Sequence, residues 1–191
     1  MRERTDTMMH DEIKIAINKV FEKTGIIVPE ELFKVEDNPR FIKHPTYNGF
    51  YEWYGNIYLR PSLFIPIDKE EKFAEHKAGG GVTWLRDTSD EGYWNYLNDM
   101  EKSRIDTLYE VIYHEIGHWV HNLYFDNRGM YIRGRGGYAR KNALENFACA
   151  FSSYMRECLG INSRRYKRMN YILTEELKNT WRWKREHTGE V

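Results

Sequence analysis

Two histidines four residues apart, with a glutamate directly after the first, constrain this chain more than any other feature: His114-Glu115-Ile116-Gly117-His118. Each residue of an α-helix advances about 100° and 1.5 Å, so His114 and His118 lie about 40° apart on one face and one turn apart along the axis, where both rings reach a single ion. Glu115 projects about 100° away from His114 and is a poor ligand. Its carboxylate nevertheless reaches a water on the open position of a metal held by the two rings. Zinc lowers the pKa of such a water from 15.7 to about 7, and Glu115 is placed to take its proton during attack on a carbonyl. The spacing points to metal-assisted hydrolysis, provided the residues lie on a helix.

The surroundings predict that helix. Ile105, Leu108, Ile112, Trp119, Val120 and Leu123 supply an apolar surface at helical spacing, and Ser103 with Asp106 resembles a capping box, so a helix is expected over about 104–124. Upstream, Tyr93, Trp94, Tyr96 and Leu97 within Glu91–Met100 indicate a short helix or aromatic loop leading into it. Gly117 is unfavourable in a helix interior by about 1 kcal/mol relative to Ala, which marks a place where a side chain is excluded for close packing. His121 lies near the face of His118 and is expected beside the ligands or at the surface. The longer zinc pattern that continues with Gly and a third His is absent, since His121 and Tyr124 stand at those positions.

A catalytic zinc commonly has three protein ligands and one open position. The third ligand is assigned to Glu145. Residues 142–155 read as a second helix, ending near Leu159-Gly160, with Leu144, Phe147, Ala148, Phe151 and Met155 forming its buried stripe. Glu145 borders that stripe, where a carboxylate requires a partner.

The pairing of His114-Glu115-Ile116-Gly117-His118 with Glu145-Asn146-Phe147-Ala148-Cys149-Ala150-Phe151 resembles the zincin domain of anthrax lethal factor and its relatives, including the small proline-proline endopeptidases. The resemblance covers about residues 104–155. It implies a zincin fold, one zinc ion bound by His114, His118 and Glu145, and Glu115 as the base of a metallopeptidase. That family has a tyrosine seven residues before the ligand glutamate that stabilises the transition state; here it is Tyr138, approached by Arg133-Gly134-Arg135-Gly136-Gly137. A phenol there would donate to the oxyanion. Repressor-cleaving phage and stress-response peptidases form the nearest sibling class, but their Glu-Ala-Asn-x-Phe-Ala pattern fits less well, because Asn146 and Phe147 follow Glu145 directly. The resemblance carries no proline preference, since no specificity pocket is matched.

Composition is consistent with this reading. With 191 residues the chain can bury a sizeable core in a single domain, divided into an α/β half over 1–103 and a helical half over 104–191. The 29 basic and 29 acidic residues cancel, so no global field favours nucleic acid or membrane. Arg164-Arg165-Tyr166-Lys167-Arg168 and Arg182-Trp183-Lys184-Arg185 mix cations with aromatics, but interleave with Met169, Tyr171, Ile172, Leu173 and Leu177 as the solvated face of amphipathic helices would. The N-terminus shows no secretory signal and the chain no transmembrane run. Cys149 and Cys158, read as lying on one helix about 13 Å apart, are expected to be buried thiols rather than a disulfide, which points to a reducing cytoplasm.

In the first half, Ile13, Ala16, Ile17, Val20 and Phe21 predict a helix over 11–23 that stops at Gly25. Asn48-Gly49 and Gly55-Asn56 are turn signals around Phe50–Tyr54 and Ile57–Leu59, expected as short antiparallel strands. The Gly55–Leu59 region is one candidate for the edge strand that in zincins pairs with an extended peptide. A helix is expected over 68–77 and a strand over 82–85. The expected architecture is α+β: a zincin-like domain with a small antiparallel or mixed sheet and a mainly helical C-terminal half. The expected activity is that of a zinc-dependent endopeptidase acting on a protein or peptide. A non-catalytic zincin-like binding module and a nucleic-acid-binding domain remain the alternatives from other classes.

Overall fold

The computed structural model describes residues 2–53, 55–79, 85, 89–126 and 142–189, with side chains from Asp11 onward. Everything else is arranged around α4, a 36-residue helix over Asp90–Phe125. Ser89 caps its start, Oγ accepting from the Gly92 amide at 3.0 Å, and Asp90 and Glu91 occupy the first turn, where the helix dipole favours carboxylates. The capping box expected at Ser103 is therefore not a terminus. The aromatic segment 91–100 and the motif helix are one element, because neither Gly nor Pro interrupts residues 93–116 and local pairs carry the helix across Ser103. Arg104 holds Glu101 at 2.7 Å and donates to the Leu63 carbonyl at 2.6 Å.

Leu108, Ile112, Ile116 and Val120, spaced four apart, are fully buried and face the core. Helix α1 (Arg2–Thr24), longer than expected, lays Ile13, Ala16 and Val20 into the same core, and Tyr109 on α4 donates to Glu12 on α1. Gly25 ends α1 with φ +74°, a conformation that favours glycine. Helix α5 (Ala143–Met155) supplies Phe147, Ala150, Phe151 and Met155. The C-terminal segment closes the core with Met169, Ile172, Leu173 and Leu177 through α6 (Arg164–Tyr171) and the turns after it, while Arg164, Lys167, Arg168 and Lys184 face solvent. Helix α7 (Trp181–Thr188) completes the chain's amphipathic end. This agrees with the solvated-face reading of the basic segments.

The sheet has three short strands in the order β1-β3-β2: β1 (Phe33–Val35) runs parallel to β3 (Ile57–Leu59), and β2 (Gly49–Tyr51) runs antiparallel to it. Ile57 and Leu59 point into the core and are fully buried. The strand expected to form the edge, β3, is instead central, with its backbone paired on both sides; among the described residues the edge strands are β1 and β2. Two short helices, α2 (Pro39–Lys43) and α3 (Lys69–Lys77), flank the sheet and the start of α4, each capped by its preceding residue, Asn38 and Asp68. The strand expected over 82–85 falls, but for Leu85, outside the described residues. The fold is α+β, and no helix among the described residues is long and apolar enough to cross a membrane.

Helix α4 meets α5 most closely at Gly117. A Cβ there would lie 2.9 Å from the Ala148 Cα and 3.1 Å from the Phe151 Cβ. Because the obstacle is backbone, it cannot turn aside as a flexible side chain does. Gly117→Ala is expected to force α5 outward, and overpacking of about 1–3 kcal/mol exceeds the helix-propensity gain of about 1 kcal/mol. Thermal unfolding should show a net loss of up to about 2 kcal/mol, a midpoint lowered by up to about 8 °C. An unchanged or raised midpoint would show that the helices separate freely.

Candidate metal centre

The angular positions on α4 explain why the histidines share a cleft. Taking the core stripe at Ile116 as reference, Glu115 and Gly117 lie about 100° to either side, and His114 and His118 lie about 160° away, nearly opposite the core. Gly117 faces α5 and Glu115 faces β2. The histidines therefore look into the gap between α5 and β2. Tyr47, Gly49, Phe50, Tyr51 and Trp53 form one wall of the resulting cleft, Leu144 and Glu145 the other, and His114, Glu115 and His118 its floor; its volume is about 230 Å³. A larger cavity of about 940 Å³ beyond Tyr51, near the end of α4 and the start of α7, holds none of the cluster's residues.

The structure brings His114, His118 and Glu145 together. Their ligand atoms lie within 4.8 Å of one another, the only such grouping of three His, Cys, Asp or Glu side chains among the described residues. His114 Nε2 and His118 Nε2 are 3.1 Å apart, with the two rings nearly perpendicular. Glu145 Oε2 is 3.2 Å from the first and 3.6 Å from the second. Tetrahedral ligands at zinc bond lengths of 2.0–2.1 Å are about 3.3 Å apart, so the three atoms already have the spacing of a zinc ligand set. The donor set also fits: two imidazoles and one carboxylate converge, and Glu145 Oε2 is buried without completing a directional hydrogen bond. Glu145 owes its place to Asn142, whose Oδ1 caps α5 by accepting the Glu145 amide at 2.8 Å. That cap sets the carboxylate in the first turn, facing α4.

Electrostatics couple the three groups. Burial disfavours the charged form of His114, but contact with Cys149 and the carboxylates of Glu145 and Glu115 outweighs it and pushes the imidazole up to about 10. Burial acts on Glu145 in the opposite direction, yet the two imidazoles hold its carboxyl down to about 2. Glu115 is 6% exposed, and burial pushes its carboxyl upward despite the histidines beside it. The backbone amide of Tyr51 donates to that carboxylate. This amide points toward α4 because β2 pairs with β3 through residues 48, 50 and 52, which directs the backbone groups at 49 and 51 away from β3. Tyr51 is fastened to α4 at its other end too, its hydroxyl accepting from Asn122 Nδ2 at 2.9 Å. At Gly49 a Cβ would come within 2.7 Å of Val111 and 3.2 Å of Glu115, so only glycine lets β2 lie this close to α4.

Other expectations fare differently. Tyr138 and its glycine-rich approach lie outside the described residues. His121 is not at the surface: it is fully buried and stacks on Phe147, with ring centroids 4.5 Å apart. An extra 100° per residue carries it from the His118 face toward α5. Helix α5 ends at Met155, not near residue 159, because Glu157 takes φ +62°; Cys158 thus lies beyond the helix and is exposed, while Cys149 is half-buried. Both thiols are free. Tyr51, Asn122 and Asn142 contribute to the site without belonging to the motif. Asn142 carries a local capping signal, whereas Tyr51 and Asn122 meet only through tertiary contact.

Comparison with protein-family models, curated proteins and solved structures finds no match to this chain.

Zinc uptake requires a neutral His114. With that imidazole cationic below about pH 10 in the metal-free protein, titration with zinc at pH 7.5 is expected to release about one proton from His114, so apparent affinity rises about tenfold per pH unit. Calorimetry in buffers of different ionisation enthalpy measures the release directly; uptake without proton release would show that His114 is not the ligand. Glu145→Ala is expected to abolish the stabilisation of about 4 kcal/mol that zinc at 1,000 times its Kd gives the wild type.

Proposed function

We propose that this chain is a zinc-dependent endopeptidase in which His114, His118 and Glu145 hold the metal and Glu115 is the general base. The observation that carries the reading is the placement of Glu115: a buried carboxylate beside the three-residue cluster, on the floor of an open cleft. The Glu115 carboxylate accepts the Tyr51 amide and also stands where it can take a proton from a water held at the cluster.

When bound, zinc supplies Lewis acidity toward the carbonyl and a water of pKa about 7. The remaining chemistry belongs to the chain's own groups. Burial makes Glu115 a stronger base than an exposed carboxylate, and the Tyr51 amide fixes the direction of its lone pairs. It accepts a proton from the attacking water and delivers it to the leaving amine. The exposed rings of Tyr47 and Trp53, on one wall of the cleft, would contact the side chains of a bound peptide. Tyr138 is assigned the donor to the oxyanion.

The decisive experiment is cleavage of a peptide library by the zinc-loaded protein. Hydrolysis should cease with a chelator and return with zinc. Glu115→Gln should keep zinc affinity while lowering kcat by about 100-fold or more, and Tyr138→Phe should lower kcat by a similar factor without releasing the metal. Zinc binding with no cleavage of any peptide would favour a non-catalytic binding module, and undiminished hydrolysis by Glu115→Gln would overturn the assigned base.

A further inference from the structure

Helix α5 holds the His114 ring at both of its nitrogens. Glu145 Oε2 stands 3.2 Å from Nε2, and Cys149, one turn further along α5, places Sγ 3.8 Å from Nδ1. Residues four apart share a helix face, so one face of α5 presents a carboxylate to one nitrogen and a thiol to the other.

We propose that Cys149 is a positioning residue for His114: its sulfur accepts the Nδ1–H and commits Nε2, the nitrogen facing His118 and Glu145, to metal binding. The inference rests on the metal-centre reading above. A neutral imidazole carries its proton on one nitrogen and its lone pair on the other, and the hydrogen bond made by the first decides which nitrogen can coordinate. Metal-binding histidines generally donate this second N–H to a carboxylate, a backbone carbonyl or a water. A thiol sulfur is a weaker acceptor and brings no fixed negative charge. Cys149 therefore sets the tautomer and the plane of the ring while raising its basicity less than a carboxylate would. Cys149 is half-buried, and its backbone belongs to the regular part of α5, where Gly117 holds the helix against α4. The sulfur is thus delivered by a rigid element, as a positioning contact requires.

Three substitutions separate this role from simple space-filling. Cys149→Ala removes the acceptor and the volume; Cys149→Val removes the acceptor and keeps an apolar group of similar size; Cys149→Asp replaces the sulfur with a stronger acceptor. Zinc affinity, measured by competition with a chromophoric chelator, is expected to fall about 10- to 100-fold in the Ala and Val variants and to equal or exceed the wild type in Asp. In the zinc-loaded wild type, nitrogen-15 NMR should show the His114 proton on Nδ1. Should the Ala variant fail to fold, the Val and Asp pair carries the comparison.

Wild-type affinity in Cys149→Val, equal losses in Val and Asp, or a proton on Nε2 would each overturn the proposal. Glu145→Ala run alongside separates the two levels: if it weakens zinc binding and Cys149→Val does not, only the role of Cys149 fails. If Glu145→Ala binds zinc as the wild type does, the metal-centre reading fails and this inference with it.

Discussion

The approach of α4 to α5 at Gly117 is the constraint on which the remaining geometry depends. With hydrogen in place of a side chain at position 117, the backbone of Ala148 comes near enough that an added Cβ would stand 2.9 Å from its Cα. Glu145 lies one turn before Ala148, and its capped position in the first turn of α5 brings the carboxylate to the histidines. A glycine inside a helix costs about 1 kcal/mol of propensity. Here the cost is offset by burial across the helix pair, where Ile116, Phe147, Phe151 and Met155 are removed from water.

The same logic operates on the opposite flank of α4. Gly49 lets β2 approach Val111 and Glu115, and the Tyr51 amide, directed away from β3, finds an acceptor in the Glu115 carboxylate. Two glycines far apart in sequence thus bring a helix and a strand onto the two sides of the histidine face. Several polar groups buried there pair with one another: Tyr51 with Glu115 and Asn122, His114 with Cys149 and Glu145. Such pairing is what a low-dielectric site requires, because an unpaired polar group costs more there than in water.

Much of this was legible along the chain. The periodicity of Leu108, Ile112 and Val120 implied the motif helix, Leu144, Phe147 and Phe151 implied its partner, and the convergence of Glu145 with the histidines followed the sequence assignment. Expectations went astray where local signals compete. Ser103 and Asp106 resemble a cap, yet an uninterrupted helix runs through them from Ser89 because nothing between Tyr93 and Ile116 breaks it. Ile57–Leu59 has the alternation of a strand, and alternation does not reveal whether a strand lies at the edge or the centre of a sheet; Phe33–Val35, pairing in parallel, made it central. His121 shares a face with His118 within the tolerance of helical spacing, but tertiary packing against Phe147 decided its surroundings.

The sequence by itself determined which residues lie on one helix face, because the helical repeat is local and rigid: His114 with His118, Glu145 with Cys149. It also marked Gly117 as a place where a side chain is excluded. The tertiary structure alone decided which face meets which. That Cys149 addresses Nδ1 while Glu145 addresses Nε2, that Tyr51 rather than a residue of β3 reaches Glu115, and that the histidines open onto a cleft instead of the core all depend on helix crossing and strand order. Those are set by the summed burial of many apolar side chains, a nonlocal quantity that no single motif encodes.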